Sequence, residues 1–180
     1  MKNIVLIGLS GSGKTTIGEL LSKRLGMEFY DSDVWVQEKE GRTIAEMFAD
    51  AEDTFREAET RAIQELSAKE GVIIATGGGV IKRTVNIDML HKNGIVIYII
   101  RHPALILKST SLKDRPLLAA DENKIYALYK ERKELYEKAS HITITNDCEI
   151  EECLEEIIRK IKAAKQQEPC GSVTTAKQQR

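Results

Sequence analysis

The chain has 180 residues, 42% of them apolar and 31% charged, with a formal net charge of −1. That is enough chain for one domain with a real core, and the charge balance speaks against broad binding to nucleic acid or to a membrane surface. No apolar run approaches the roughly 20 residues of a membrane span. The apolar run in MKNIVLIGLSGSGK leads into glycines rather than a small-residue cleavage site, so it reads as a strand and not as a secretory leader. Cys148, Cys153 and Cys170 are few, odd in number and confined to the C-terminal part. They predict a reducing compartment, the cytoplasm, with neither a disulfide framework nor a metal site.

In chain order, apolar runs predict strands over residues 4–7, 27–30, 72–75, 95–100 and 142–144. The runs at 72–75 and 95–100 are continuous rather than alternating, which suits a parallel sheet covered on both faces. Helical stripes lie between them. Ile17, Leu20, Leu21 and Leu25 form the first, and Gly26 follows as a stop signal. Thr43 and Glu46 make a capping box that opens one long helix, its stripe running from Ile44 through Met47, Phe48, Ala51 and Phe55 to Ala62. Asp121 can cap a helix carrying Ile125, Leu128, Tyr129 and Tyr136, and Ile150, Leu154, Ile157 and Ile161 mark the last. Strands alternating with helices predict an α/β doubly wound sheet with right-handed crossovers. Residues 1–163 read as a single domain and the aperiodic, polar 164–180 as a disordered tail.

The run Gly8-Leu9-Ser10-Gly11-Ser12-Gly13-Lys14-Thr15 fits G-x-x-x-x-G-K-[ST] between a strand and a helix, the context that identifies a phosphate-binding loop. Backbone amides of Gly11, Ser12, Gly13 and the residues through Thr16 would face phosphate oxygens, helped by the helix N-terminus. Lys14 would reach the β- and γ-phosphates of ATP, and the Thr15 hydroxyl would ligate Mg²⁺. The longest apolar runs do not end in aspartate. The aspartates stand in Phe29-Tyr30-Asp31-Ser32-Asp33, after the short second strand. In extended chain residues two apart share a face, and Asp31 and Asp33 would divide two jobs there, one carboxylate serving the metal through water and the other a second substrate. Alternatively both cap the next helix. Neither an N-K-x-D guanine pattern nor a D-x-x-G switch accompanies the loop, which weighs against a GTPase.

Three arginines ask for anions. Arg132 falls on an apolar stripe, so it either faces inward with a partner or snorkels outward. Arg56 pairs on the surface with Glu52 or Glu59, or joins Arg132 in a clamp for a small acid, since guanidinium matches carboxylate bidentately. Arg115 in SLKDRPLL sits in a polar stretch that reads as a mobile lid over about 108–120. It is an exposed loop residue or it swings over the γ-phosphate. Finally, Gly77-Gly78-Gly79 follow the third strand. They form a flexible loop or a place where something approaches bare backbone. Ligands of open parallel sheets bind beyond the carboxyl ends of strands, and the first loop already serves the phosphates, so the acceptor is the expected visitor. On that reading Gly78→Ala impairs acceptor use and spares nucleotide binding.

Taken together, GLSGSGKT, FYDSD, FREAE, TGGG, RPLL and ERKELY, in this order, resemble the shikimate kinase family over roughly residues 2–163. The resemblance implies a P-loop three-layer sandwich with a five-stranded parallel sheet of order 2-3-1-4-5, helices on both faces and a lid. It implies transfer of the ATP γ-phosphoryl group to the 3-hydroxyl of shikimate, a step in aromatic amino-acid biosynthesis, with Mg²⁺. Asp33 would hold the acceptor hydroxyl and take its proton. Arg56 and Arg132 would bind the shikimate carboxylate, and Gly77, Gly78 and Gly79 would lie against the ring. Arg115 would contact the transferring group and Asp31 would support Mg²⁺ through water. The family often opens its lid with an arginine that stacks on adenine, where the nearest residue here is Lys108, a point charge without a planar face. Arg101-His102-Pro103 after the fourth strand departs from the expected pattern, and His102 reads as structural. A gluconate kinase, a nucleoside monophosphate kinase and an ATP-binding switch protein remain the rival readings, with ATP and one small acid as the expected partners of a monomer.

Overall fold

The computed structural model describes residues 1–108 and 122–166. Among them run five strands, β1 (Asn3–Ile7), β2 (Phe29–Asp31), β3 (Ile73–Ala75), β4 (Gly94–Ile100) and β5 (Ile142–Thr145). All pair in parallel, in the order β2-β3-β1-β4-β5. The register alternates side chains between two faces. Val5, Ile7, Ile74, Val96 and Tyr98 pack on one side, and Ile4, Leu6, Ile73, Ile95, Ile97 and Ile99 on the other. Both faces are therefore apolar, and the central strands read as unbroken apolar runs. At the sheet's edge β5 alternates, with Ile142 and Ile144 buried and Thr143 and Thr145 exposed.

The described helices are α1 (Lys14–Leu25), α2 (Ser32–Glu40), α3 (Ile44–Asp50), α4 (Glu52–Ser67), α5 (Thr84–Asn93), α6 (Pro103–Lys108), α7 (Glu122–Ala139) and α8 (Ile150–Gln166). Gly26 ends α1 in the left-handed region, φ 64°, as its position promised. The Thr43–Glu46 capping box is present. The single long helix expected behind it is not. Ala51 is extended, φ −167° and ψ 149°, and divides α3 from α4. Packing explains the break. Seven residues of continuous helix would separate Phe48 from Phe55 by about 10 Å, whereas their stacked ring centroids lie 4.9 Å apart. Folding α3 back brings Met47 and Phe55 into one cluster with Val36, Ala58 and Ala62.

A second correction concerns the two aspartates. Asp31 ends β2 and caps α2, accepting from the amides of Asp33 and Val34. Asp33 thus lies in a helical first turn, not in extended chain. Asp121 and the lid beyond Lys108 fall outside the described residues.

Candidate active site

The phosphate loop leaves β1, the central strand. Its turns depend on Gly8, Gly11 and Gly13, with φ of 145°, 87° and 99°, values that a Cβ disfavours. Gly13 caps α1 without a side-chain hydrogen bond, so the first amides of the helix remain available to an anion. The buried Lys14 ammonium donates to the carbonyls of Gly8 at 2.9 Å and Leu9 at 2.8 Å, which arches it over the loop. Buried Asn146, just past β5, donates from Nδ2 to the Ser12 carbonyl at 2.8 Å and fixes the loop from behind.

Across from the loop stand the aspartates. Thr15 Oγ1 donates to Asp31 Oδ2 at 2.8 Å. Two adjacent oxygen donors of this kind suit a hard cation such as Mg²⁺. Both residues line a pocket of about 270 Å³ together with Ser10, Gly11, Gly13, Lys14, Thr16, Asp33, Thr76, Gly78 and Arg101. Thr76 closes the floor, its amide and hydroxyl both bound to the Leu6 carbonyl.

Gly77, Gly78 and Gly79 have no positive φ. Their need for glycine is spatial. A Cβ on Gly77 would lie 2.5 Å from Asp33 Oδ1 and 3.1 Å from Glu59 Oε1, one on Gly78 would lie 3.0 Å from the Ser10 amide nitrogen, and one on Gly79 would run into the Arg56 guanidinium. The triplet is also tied down. Gly77 N–H donates to Ser32 Oγ at 3.0 Å, and the Gly78 carbonyl accepts from Tyr136 and, at 3.1 Å, from Arg132 Nη1. These contacts favour the close-approach reading over the flexible loop. A Cβ on Gly78 would meet the phosphate loop itself, so Gly78 sits between the two halves of the site.

Arg56 on α4 is buried, its side chain 9% exposed. Its Nε donates to Glu52 at 3.1 Å and its Nη1 to Glu59 at 2.8 Å, and its guanidinium lies over the Phe55 and Phe48 rings. Both of the pairs foreseen on the surface therefore form, one of them in the interior. Burial opposes the Arg56 charge, but Glu59 and Glu52 outweigh it and the guanidinium is held more firmly protonated than usual. Burial pushes the Glu59 carboxyl up; Arg56 counters this only in part, and Asp33 adds repulsion. Removing Glu59 would leave the buried guanidinium with Glu52 as its remaining carboxylate among the described residues. Arg132 on α7 points inward and finds a backbone carbonyl. Four residues on, burial pushes the Tyr136 phenol up to about 12 despite Arg132, so it stays a neutral donor to Gly78. Its ring stacks on Tyr98 of β4 at 4.9 Å, worth about 0.5–1.5 kcal/mol beyond area burial. A second hollow of about 350 Å³, lined by Ala51, Glu52, Asp53, Arg56, Lys82 and Arg83, adjoins Arg56.

The structure thus gathers Gly11, Gly13, Lys14, Thr15, Thr16, Asp31, Asp33 and Gly78 around one pocket, with Arg56 and Arg132 meeting the same glycines. Ser12 is fully buried and does not line the pocket. Lys108 ends α6, exposed. Arg115 lies outside the described residues. Sequence reasoning gives no site role to Ser32, Thr76, Asn146 or Arg101, and names Glu59 only as a surface partner of Arg56. Only Glu59 had a local signal, its spacing of three from Arg56.

A parallel sheet of order 2-3-1-4-5, with a phosphate loop on its central strand and a carboxylate- and guanidinium-lined wall opposite, defines a P-loop phosphotransferase of small molecules. The family model described as shikimate kinase matches residues 10–162. The chain belongs to the shikimate kinase family. It is 46% identical over 158 residues to the shikimate kinase of Clostridium botulinum strain Alaska E43, covering 87% of this chain and 96% of that one. Among solved structures, the shikimate kinase from Acinetobacter baumannii in complex with shikimate superposes with a TM-score of 0.85 at 38% identity, over 92% of this chain and 95% of that one. The enzyme from Aquifex aeolicus gives 0.79 at 34%, over 91% and 98%.

Proposed function

We propose that this chain transfers the γ-phosphoryl group of ATP to the 3-hydroxyl of shikimate, giving shikimate 3-phosphate and ADP on the route to aromatic amino acids. Family membership supports the reading. One observation carries it into this chain's own residues: a single pocket is lined by Lys14 and Thr15 together with Asp33 and Gly78. Donor and acceptor would meet there without water between them.

In this account Lys14 and the first amides of α1 offset charge on the transferring phosphates. Arg56 and Arg132 hold the acceptor carboxylate, and the ring lies along Gly77, Gly78 and Gly79. Asp33 orients the 3-hydroxyl and takes its proton as that oxygen bonds to the γ-phosphorus and the bond to the β–γ bridging oxygen breaks. A loose transition state asks little of a base, so placement dominates. Mg²⁺ held by Thr15 and, through water, by Asp31 would supply further charge neutralisation. Arg115 would contact the transferring group from the lid. Both substrate subsites come from one chain, which suits a monomer working in the cytoplasm. Among the described residues no helix is long and apolar enough to cross a membrane.

ADP release measured with shikimate, quinate and gluconate in parallel tests the reading. We expect kcat/KM for shikimate to exceed the others by about 100-fold or more, since missing polar partners are penalised heavily. Preference for gluconate would overturn the acceptor, and ATP binding without turnover of any acid would favour a switch protein.

A further inference from the structure

Arg101 follows the last residue of β4, and no role considered so far uses it. We propose that Arg101 is a phosphate-contacting residue of the donor subsite, a second cation beside Lys14 for the terminal phosphates of the bound nucleotide. The inference rests on the ATP reading above and adds a residue to it.

Register brings Arg101 to the loop. β1 and β4 run in parallel with Ile7 opposite Tyr98, and the Ile99 carbonyl lies against Gly8, where a Cβ would come within 2.5 Å of it. Three residues past Ile7 is Ser10, and three past Tyr98 is Arg101. The side chain lines the same pocket as Ser10, Gly11, Lys14 and Thr15. Behind it, Arg101 Nε is buried and makes no hydrogen bond among the described residues. A guanidinium carries five donors and cannot discharge by losing a proton, so an arginine lining this pocket, its Nε without a partner among the described residues, suits an anion. The chemistry of the pocket selects the anion. Its planar fork matches the oxygens of a phosphate in a way an ammonium does not, and the adjacent loop presents phosphate-facing amides. Arg101 would also complement Lys14, whose ammonium is shared with the Gly8 and Leu9 carbonyls.

Calorimetric titration of the full chain with ADP and with AMP, Mg²⁺ present, tests this on wild type, Arg101→Met and Arg101→Lys. Methionine keeps much of the stem and removes the charge, while lysine keeps the charge and removes the fork. One lost charge-assisted contact predicts about a tenfold weaker ADP affinity for Arg101→Met, partial recovery in Arg101→Lys, and a rise of similar size in KM for ATP. AMP affinity and KM for shikimate should stay within about twofold, as neither involves the terminal phosphates. Equal ADP binding by wild type and Arg101→Met overturns the proposal and leaves the ATP reading standing. A parallel loss for ADP and AMP together with a lowered unfolding midpoint also overturns it, in favour of a packing role. A wild type that binds no ADP overturns the ATP reading and this inference with it.

Discussion

The two glycine-rich stretches of this chain use one residue type for two different reasons. In residues 8–13 the glycines are conformational: Gly8, Gly11 and Gly13 all have φ between 87° and 145°. In residues 77–79 no φ is positive, and the glycines make room for Asp33, for the Ser10 amide and for Arg56. A side chain in the first stretch would break a turn. One in the second would push a functional neighbour aside. The first stretch makes its site locally, whereas the second is the meeting point of α2, α4, α7 and the phosphate loop.

Substitutions can break this comparison. Gly13→Ala should have the largest effect, because a residue at φ 99° would also place its Cβ 2.5 Å from Asn146 Nδ2. We expect ADP affinity to fall by about 100-fold, read by titration. Gly79→Ala should come next and split the two substrates. Displacing Arg56 should raise KM for shikimate by at least about tenfold while ADP affinity is held, since small misplacements of a positioning group are costly. Gly78→Ala sits between the two regions. Its Cβ would press on the Ser10 amide from 3.0 Å, so both KM values should rise, by about threefold to tenfold. Loss confined to shikimate would restore the simpler division read from the sequence.

Two smaller effects probe the supports. Tyr136→Phe removes a hydroxyl from the Gly78 carbonyl and should lower stability by about 1 kcal/mol in denaturant titration. At the far end of the molecule, desolvation first, then His91 and Lys2, depress the His141 pKa, and His141 Nδ1 accepts from the Val96 amide at 2.9 Å. A histidine with a lowered folded pKa adds stability fully above its unfolded value of about 6.5. That stability is lost as pH falls from there through the folded pKa, because the unfolded chain binds the proton more readily. Melting midpoints between pH 7.5 and 5.5 should therefore converge in His141→Asn relative to wild type.

What the sequence revealed follows the same division. The phosphate loop is eight consecutive residues whose spacing states its geometry, and the buried strands announce themselves because both sheet faces are covered. The break at Ala51 is hidden because the apolar stripe continues across it, and only the stacking of Phe48 on Phe55 shows why the chain turns back. Asp33 was placed in extended chain because local spacing does not tell where β2 ends and α2 begins. Gly78's contact with Ser10 joins residues 68 positions apart, and Arg101 gains its meaning from register with β1. Neither leaves a mark in its own neighbourhood.

The account stands or falls on where the phosphate goes. Phosphorus NMR of ATP and shikimate incubated with the chain, followed with time, tests this directly. We expect one new phosphomonoester resonance, coupled to the proton on carbon 3 of the acid, growing in step with ADP. Growth of inorganic phosphate beside unmodified shikimate, or an ATP spectrum that does not change, would contradict it.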